Sequence, residues 1–370
     1  MTHEQYLEHL NKHITSREQD DAFNQLLRHH QKEFEILTEL NLDPAEPELG
    51  SAYCPTVRVD PRPPLTMLRS LILMTMLKIT SITKWVAQTR AVAFYAILAG
   101  FEPEDTPGIG TYYDFMKRII DGPYRKPVEG RVSRSRFNAG RHQRNIKKEK
   151  KKKADEICPN QTRSEILVRE LLDKEDQPRP DDFNKILEDL LFNLGIAPSV
   201  ASGLITDIDS LVISGDGSIM ATAASSAGRP ACECRAAGIY NCDHDRFFTS
   251  PTAQWCYDHH HNRFVFGDRY YHLVVTQNGH DFPLLTVMPG GNESDYTLSL
   301  KAFDRFVKAA DENGLPVSVN AFIGDGHHDS YAHYEYFAAR QVIPIIPLTK
   351  TSQPVYPHTS EAPDAPMLDS

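Results

Sequence analysis

Apolar positions recur with a helical period through most of the first 200 residues. Phe23, Leu26, Leu27, His30, Phe34 and Leu37 line one stripe, so the first 45 residues read as helical. A proline-marked connection follows (Pro44, Pro47, Pro55, Pro61, Pro63, Pro64). Helices are then predicted over Leu65–Leu77 and Ile82–Leu98, the second capped by Thr80 or Ser81. Gly108–Ile119 reads as a turn entering a short helix with a basic end. Ser164–Leu194 is helical again, with Ile166, Leu167, Leu171 and Leu172, then Ile186, Leu187, Leu190 and Leu191, on its apolar face. Stripes of this kind are what core-forming bundle helices need.

The pattern changes after residue 205. Leu211–Ser214 is a short apolar strand running into Gly215–Ser218, and a Cys- and His-rich, loop-like stretch continues to about Gly267, broken by a strand over Phe264–Phe266. Strands Tyr270–Gln277 and Phe282–Met288 flank Asn278–Gly279, a hairpin signal. Tyr296–Asn313 is an amphipathic helix with Leu298, Phe303, Phe306 and Val307 inward, closed by Gly314. Strand Val317–Ile323, helix Ser330–Arg340 and strand Val342–Leu348 complete the periodic part, and a Pro-rich tail starts at Thr349. Strand, long insertion, strand, strand, helix, strand, helix, strand is the order of an RNase H-like mixed sheet. The predicted class is therefore α/β, with that sheet domain preceded by an all-helical one.

Composition changes the picture in one place. The 370 residues carry a net charge of −10, which argues against nucleic acid as a partner. Between Arg125 and Lys153, however, 13 Lys/Arg face only Glu129 and Glu149, a local +11, and the other 341 residues carry −21. A lysine run such as Lys147–Lys153 also describes a plain solvated stretch. The arginines spaced along RVSRSRF suit phosphate contact better, which makes Arg131, Arg134, Arg136, Arg141, Arg144, Lys147 and Lys148 candidate contacts to double-stranded DNA. The domains expected are a helical DNA-binding domain (1–124), a basic linker (125–158), a helical connector (159–204), the sheet domain (205–350) with its Cys/His insertion at about 217–268, and a disordered tail (351–370). Arg69 and Lys78 interrupt Leu65–Ile79, the most apolar stretch, and the N-terminus has no apolar signal core. Six cysteines fit a reducing compartment, so a cytoplasmic, nucleoid-associated protein is expected, with no membrane partner.

Two Gly-Asp-Gly triplets carry the candidate chemistry. Asp216 ends the first predicted strand and Asp325 the fourth, and in an RNase H-like sheet those strands are neighbours. Asp before Gly is good turn chemistry in its own right. Two carboxylates emerging side by side are also hard-oxygen ligands for Mg²⁺ or Mn²⁺ ions about 3.5–4 Å apart, the arrangement used in phosphodiester chemistry. His327 and His328 beside Asp325 read as capping or exposed residues.

In LVISGDGS around Asp216, DHHHNRFVFGDRYYHL (Asp258–Leu273) and FIGDGHHDSYAHYEYF around Asp325, the sequence resembles the DDE transposases of bacterial insertion sequences. LRSLILMTMLKITSITKWVAQTRAVAFYAILAGF and PGIGTYYDFMKRI are similar to their helical N-terminal domain, so the resemblance spans roughly residues 60–350. It implies Mg²⁺-dependent hydrolysis at element ends, attack of the 3′-hydroxyl on target DNA, and action as a homo-oligomer. It also implies a third metal-binding acid, a Glu on a helix after the last strand. Only 22 residues follow Leu348; Glu361 sits in Pro-broken sequence and Glu335 comes too early. The expectation is a chain that stops before its third acid, a truncated transposase with Asp216 and Asp325 as catalytic metal ligands. The alternatives are a non-catalytic DNA-binding product that represses transposition, and an RNase H-like nuclease unrelated to transposition.

Cys232-x-Cys234 and Cys242-x-His244 supply a full tetrahedral set for structural Zn²⁺, although C-x-C spacing is atypical and free cysteines in a reduced loop are the alternative. Cys256 and His259–His261 are spare candidates, and Cys54 and Cys158 read as packing residues.

Overall fold

The computed structural model describes residues 1–53, 61–121, 131–132, 163–240, 242, 244, 246–250, 252–258, 261–288 and 293–348. The first 121 residues form α1 (His3–Ser16), α2 (Asp21–His29), α3 (Gln31–Glu39), α4 (Glu46–Ser51), α5 (Pro64–Met76), α6 (Ile82–Ala91), α7 (Ala93–Ala99) and α8 (Ile109–Asp121). Polar caps set several of the starts. Thr2 and Gln5 form a reciprocal capping box on α1, Asp20 accepts from Phe23 N at the head of α2, and Ser81 accepts from Lys84 N at the head of α6. The predicted helix over Ile82–Leu98 is two helices, because the backbone is extended at Val92. The break turns Phe94, Ile97 and Leu98 into the same core as Trp85 and Val86. Trp85 Nε1 donates to Ser70 Oγ at 2.9 Å and Tyr112 Oη at 3.1 Å, so one satisfied polar knot ties α5, α6 and α8.

A two-residue strand β1 (Arg131–Val132) precedes α9 (Arg163–Asp173), α10 (Phe183–Leu191), a π turn at Phe192–Ile196 and α11 (Ala197–Ala201). Then come β2 (Leu211–Ala221), β3 (Arg229–Pro230), β4 (Arg246–Phe247), β5 (Gln254–Asp258), β6 (Arg263–Gln277), β7 (His280–Val287), α12 (Asp295–Glu312), β8 (Val319–Ile323), α13 (Tyr331–Ala339) and β9 (Ile343–Ile345). The connector joins two cores. Ile186 and Leu190 of α10 pack into the helical core, whereas Val168, Phe192 and Ile196 pack under the sheet.

The six-stranded sheet is mixed. β2 lies at its centre, antiparallel to β6 and parallel to β8, which is parallel to β9. β6 is long enough to pair β5 along its first residues and β7 along its last. Asn278 and Gly279 have φ of 54° and 77°, the mirror-image turn a two-residue hairpin requires. Strand β2 corrects the expected four-residue strand: it runs 11 residues, straight through Gly-Asp-Gly. The glycines are there for room. A Cβ on Gly215 would collide with the Tyr271 ring, and one on Gly217 with the Asp295 carboxylate.

Candidate active site

Asp216 sits within β2, opposite His272 of β6. Ser214 and Ile323 are partners in the parallel β2–β8 ladder. Asp216 and Asp325 each lie two residues beyond that rung, so both predicted acids come off neighbouring strands at one level. Asp216 Oδ1 accepts from Gly217 N at 2.7 Å. Asp325 caps a 3-10 turn over Gly326–His328 and accepts from His327 N at 3.0 Å.

Asp325 is held from two sides. His327 Nδ1 lies 2.9 Å from Oδ2, and His328 Nδ1 lies 2.7 Å from Oδ1. Burial pushes the Asp325 carboxyl up, but the bonds from His327 and His328 outweigh it and set the carboxyl below its ordinary value. The bond to Asp325 raises His327 in turn. The adjacent histidines differ sharply. His327 is exposed, whereas His328 is completely buried, a correction to its reading as a capping or solvent residue. Successive side chains on so tight a turn diverge, and His328 points inward to place Nε2 2.8 Å from Tyr271 Oη. The two ring nitrogens of His328 thus link Asp325 to the Tyr271 hydroxyl. Burial first, then Asp216, Asp295 and Asp325, push the Tyr271 phenol up, so it remains a neutral donor beneath the acids.

Asp295, at the start of α12, is the acid that sequence reading passed over. Its Oδ1 accepts from Arg269 Nη1 at 2.6 Å. A first-turn acid on an amphipathic helix carries no mark of this role; the signal was Gly217, whose missing side chain makes space for it. A cleft of about 890 Å³ opens over Asp216 and Asp325, with Glu293, Asp295, Arg263 and Arg269 also on its walls. Oxygen donors and guanidinium groups thus face one space, the complement of a divalent cation and a phosphodiester. Arg269 engages Asp295, and His327 and His328 engage Asp325.

The Cys/His insertion does converge. Cys232, Cys234, Cys242 and His244 bring one ligand atom each to within 4.8 Å of one another. Strands β3 and β4 explain why: Pro230 pairs with Arg246, and Cys232 and His244 both lie two residues beyond that rung. Cys232 Sγ is 3.4 Å from Cys242 Sγ, and Cys234 Sγ is 3.2 Å from His244 Nδ1. The Cys234 backbone and the Cys242 thiol pull the Cys232 thiol down to about 7, while Cys232 pushes Cys234 up. A thiol group poised to ionise beside two more sulfurs and an imidazole suits a metal ion.

The spare candidates lie elsewhere. Cys256 is buried on β5, and His261 pairs with Asp258 at 2.8 Å. His259, His260, Cys54 and Cys158 fall outside the described residues, as do Glu361, Arg134, Arg136, Arg141, Arg144, Lys147 and Lys148. Arg131 is in β1, opposite Phe247 of β4. Comparison with protein-family models, curated proteins and solved structures gave no match.

Proposed function

We propose that the chain is a DDE-type transposase with an RNase H-like catalytic domain, acting on the DNA ends of an insertion sequence. The observation that carries this is that Asp216 in β2 and Asp325, two residues past the end of β8, each lie two residues beyond the last rung of the parallel β2–β8 ladder, at one edge of the mixed sheet. A three-stranded antiparallel unit continued by two parallel strands, with β5 added along β6, is what an RNase H-like reading of this mixed sheet rests on.

In this reading Asp216 and Asp325 hold Mg²⁺ or Mn²⁺, which when bound supplies Lewis acidity and an activated water or 3′-hydroxyl. The chain's own residues do the positioning. His328, anchored by Tyr271, fixes the Asp325 carboxylate. His327 is exposed and can swing aside to free Oδ2. Arg263 and Arg269 on the cleft wall contact the phosphodiester, and the basic segment 125–153 follows the duplex backbone. The Cys232–His244 cluster takes structural zinc.

The test is nicking of a plasmid that carries the DNA flanking the coding region, with Mg²⁺ or Mn²⁺ present. Metal-dependent nicking abolished by Asp216→Ala and by Asp325→Ala is expected. Tight binding without nicking would instead favour a non-catalytic repressor.

A further inference from the structure

The helical region holds a second group of metal-type donors. His9 and His13 are one turn apart on α1, so their imidazoles share a face, with ring centroids 4.5 Å apart. Glu102 reaches them from the connection after α7, where Gly100 turns the chain with φ of 89°. Glu102 Oε2 is 3.0 Å from His13 Nε2, and Oε1 is 3.7 Å from His9 Nδ1. One donor atom from each residue lies within 4.8 Å of the others. Both histidine side chains are only 7% exposed, and His9 Nε2 is buried with no hydrogen-bond partner.

We propose that His9, His13 and Glu102 form a binding site for a divalent transition-metal ion of the zinc type, which fastens α1 to the connection between α7 and α8. Two imidazole nitrogens and one carboxylate oxygen are a borderline donor set, matched to zinc and unlike the all-oxygen shells of Mg²⁺ or Ca²⁺. Three protein donors leave a fourth tetrahedral position for water. Two cations must move when the metal enters. Lys12, largely exposed, leaves Glu102 Oε1, now 3.3 Å away. Arg17 leaves His13 Nδ1, now 2.9 Å away, because that nitrogen carries the proton when Nε2 binds metal. Nothing in this site depends on whether the chain acts on DNA.

The experiment titrates the metal-stripped full chain with Zn²⁺ and Co²⁺. Cys232→Ser/Cys234→Ser removes the thiolate site, so its intense charge-transfer bands with Co²⁺ disappear. That variant should still bind one Zn²⁺, with a nitrogen- and oxygen-only shell by X-ray absorption. Adding His9→Ala, or separately Glu102→Gln, should weaken this binding by about 100-fold or more, beyond the loss expected for a merely supporting partner. Circular dichroism of each variant checks that the helices remain. A folded Cys232→Ser/Cys234→Ser chain that takes up no Zn²⁺, or that binds it equally after both further changes, would overturn the site.

Discussion

Packing around Tyr271 leaves little freedom at the acids. Its ring fills the space that a side chain at Gly215 would need, and its hydroxyl ends the chain of bonds through His328 to Asp325. Gly215→Ala should therefore destabilise the protein by about 1–3 kcal/mol, the usual cost of overpacking, measured by urea denaturation. An unchanged midpoint would mean that Tyr271 moves freely. A neighbouring histidine sets the pH response. Burial, then His328, lowers His333 to about 3, and its ring bonds Ser299 Oγ at 2.6 Å and Ser330 Oγ at 2.9 Å. A base depressed in the folded state binds fewer protons there than in the unfolded chain. Its contribution is thus complete above the ordinary value of 6.5 and is lost as pH falls from there toward 3, by at most about 1.4 kcal/mol per unit. Comparing urea midpoints at pH 7 and pH 5 for the wild type and His333→Asn isolates that contribution; the variant should show the shallower fall.

The connector and α12 are joined by charge as well as by packing. Arg179 contacts Glu188 at 2.9 Å, Asp189 at 2.5 Å and Glu312 at 3.0 Å, and Arg305 contacts Glu188 at 2.6 Å. The side chains of Arg179 and Glu188 are completely buried. Arg179→Ala would leave buried carboxylates uncompensated, so a loss of about 3–5 kcal/mol is expected in equilibrium unfolding. A loss under 1 kcal/mol, of the size seen for surface pairs, would show that water reaches the network. Helix and strand succession was legible because the apolar stripes of Phe23–Leu37 and Leu298–Val307 have one clear period. Val92 was not, since it keeps the apolar pattern while leaving helical geometry. Nor was the full length of β6, where Arg263, Asp268 and Arg269 hide a strand whose sheet partners extend past the core. The π turn before α11 precedes Pro198, which has no N–H to donate and so widens the helical ladder there.

The molecule combines an acidic fold with a strongly basic segment. Its helical core and its sheet core meet at α10, and the cleft with Asp216 and Asp325 belongs to the sheet half. The two acids were readable because both stand in Gly-Asp-Gly at predicted strand ends. Their surroundings were not: Asp295, Arg269 and Tyr271 are brought in by register and by a helix start, which depend on contacts far apart in sequence. The Cys/His cluster was legible as a ligand set, while the small sheet that closes it was not. His9 and His13 show a repeat of four residues in sequence, but Glu102 enters only through the fold.

The central claim is that Asp216 and Asp325 together support metal-dependent strand chemistry. Its most direct measurement is the single-turnover nicking rate in Mn²⁺ of the wild type, Asp216→Asn and Asp325→Asn on plasmid carrying the flanking DNA. Loss of several kcal/mol of transition-state stabilisation predicts a fall of about 1,000-fold in each variant with DNA affinity retained. Nicking by either variant at the wild-type rate would contradict the claim.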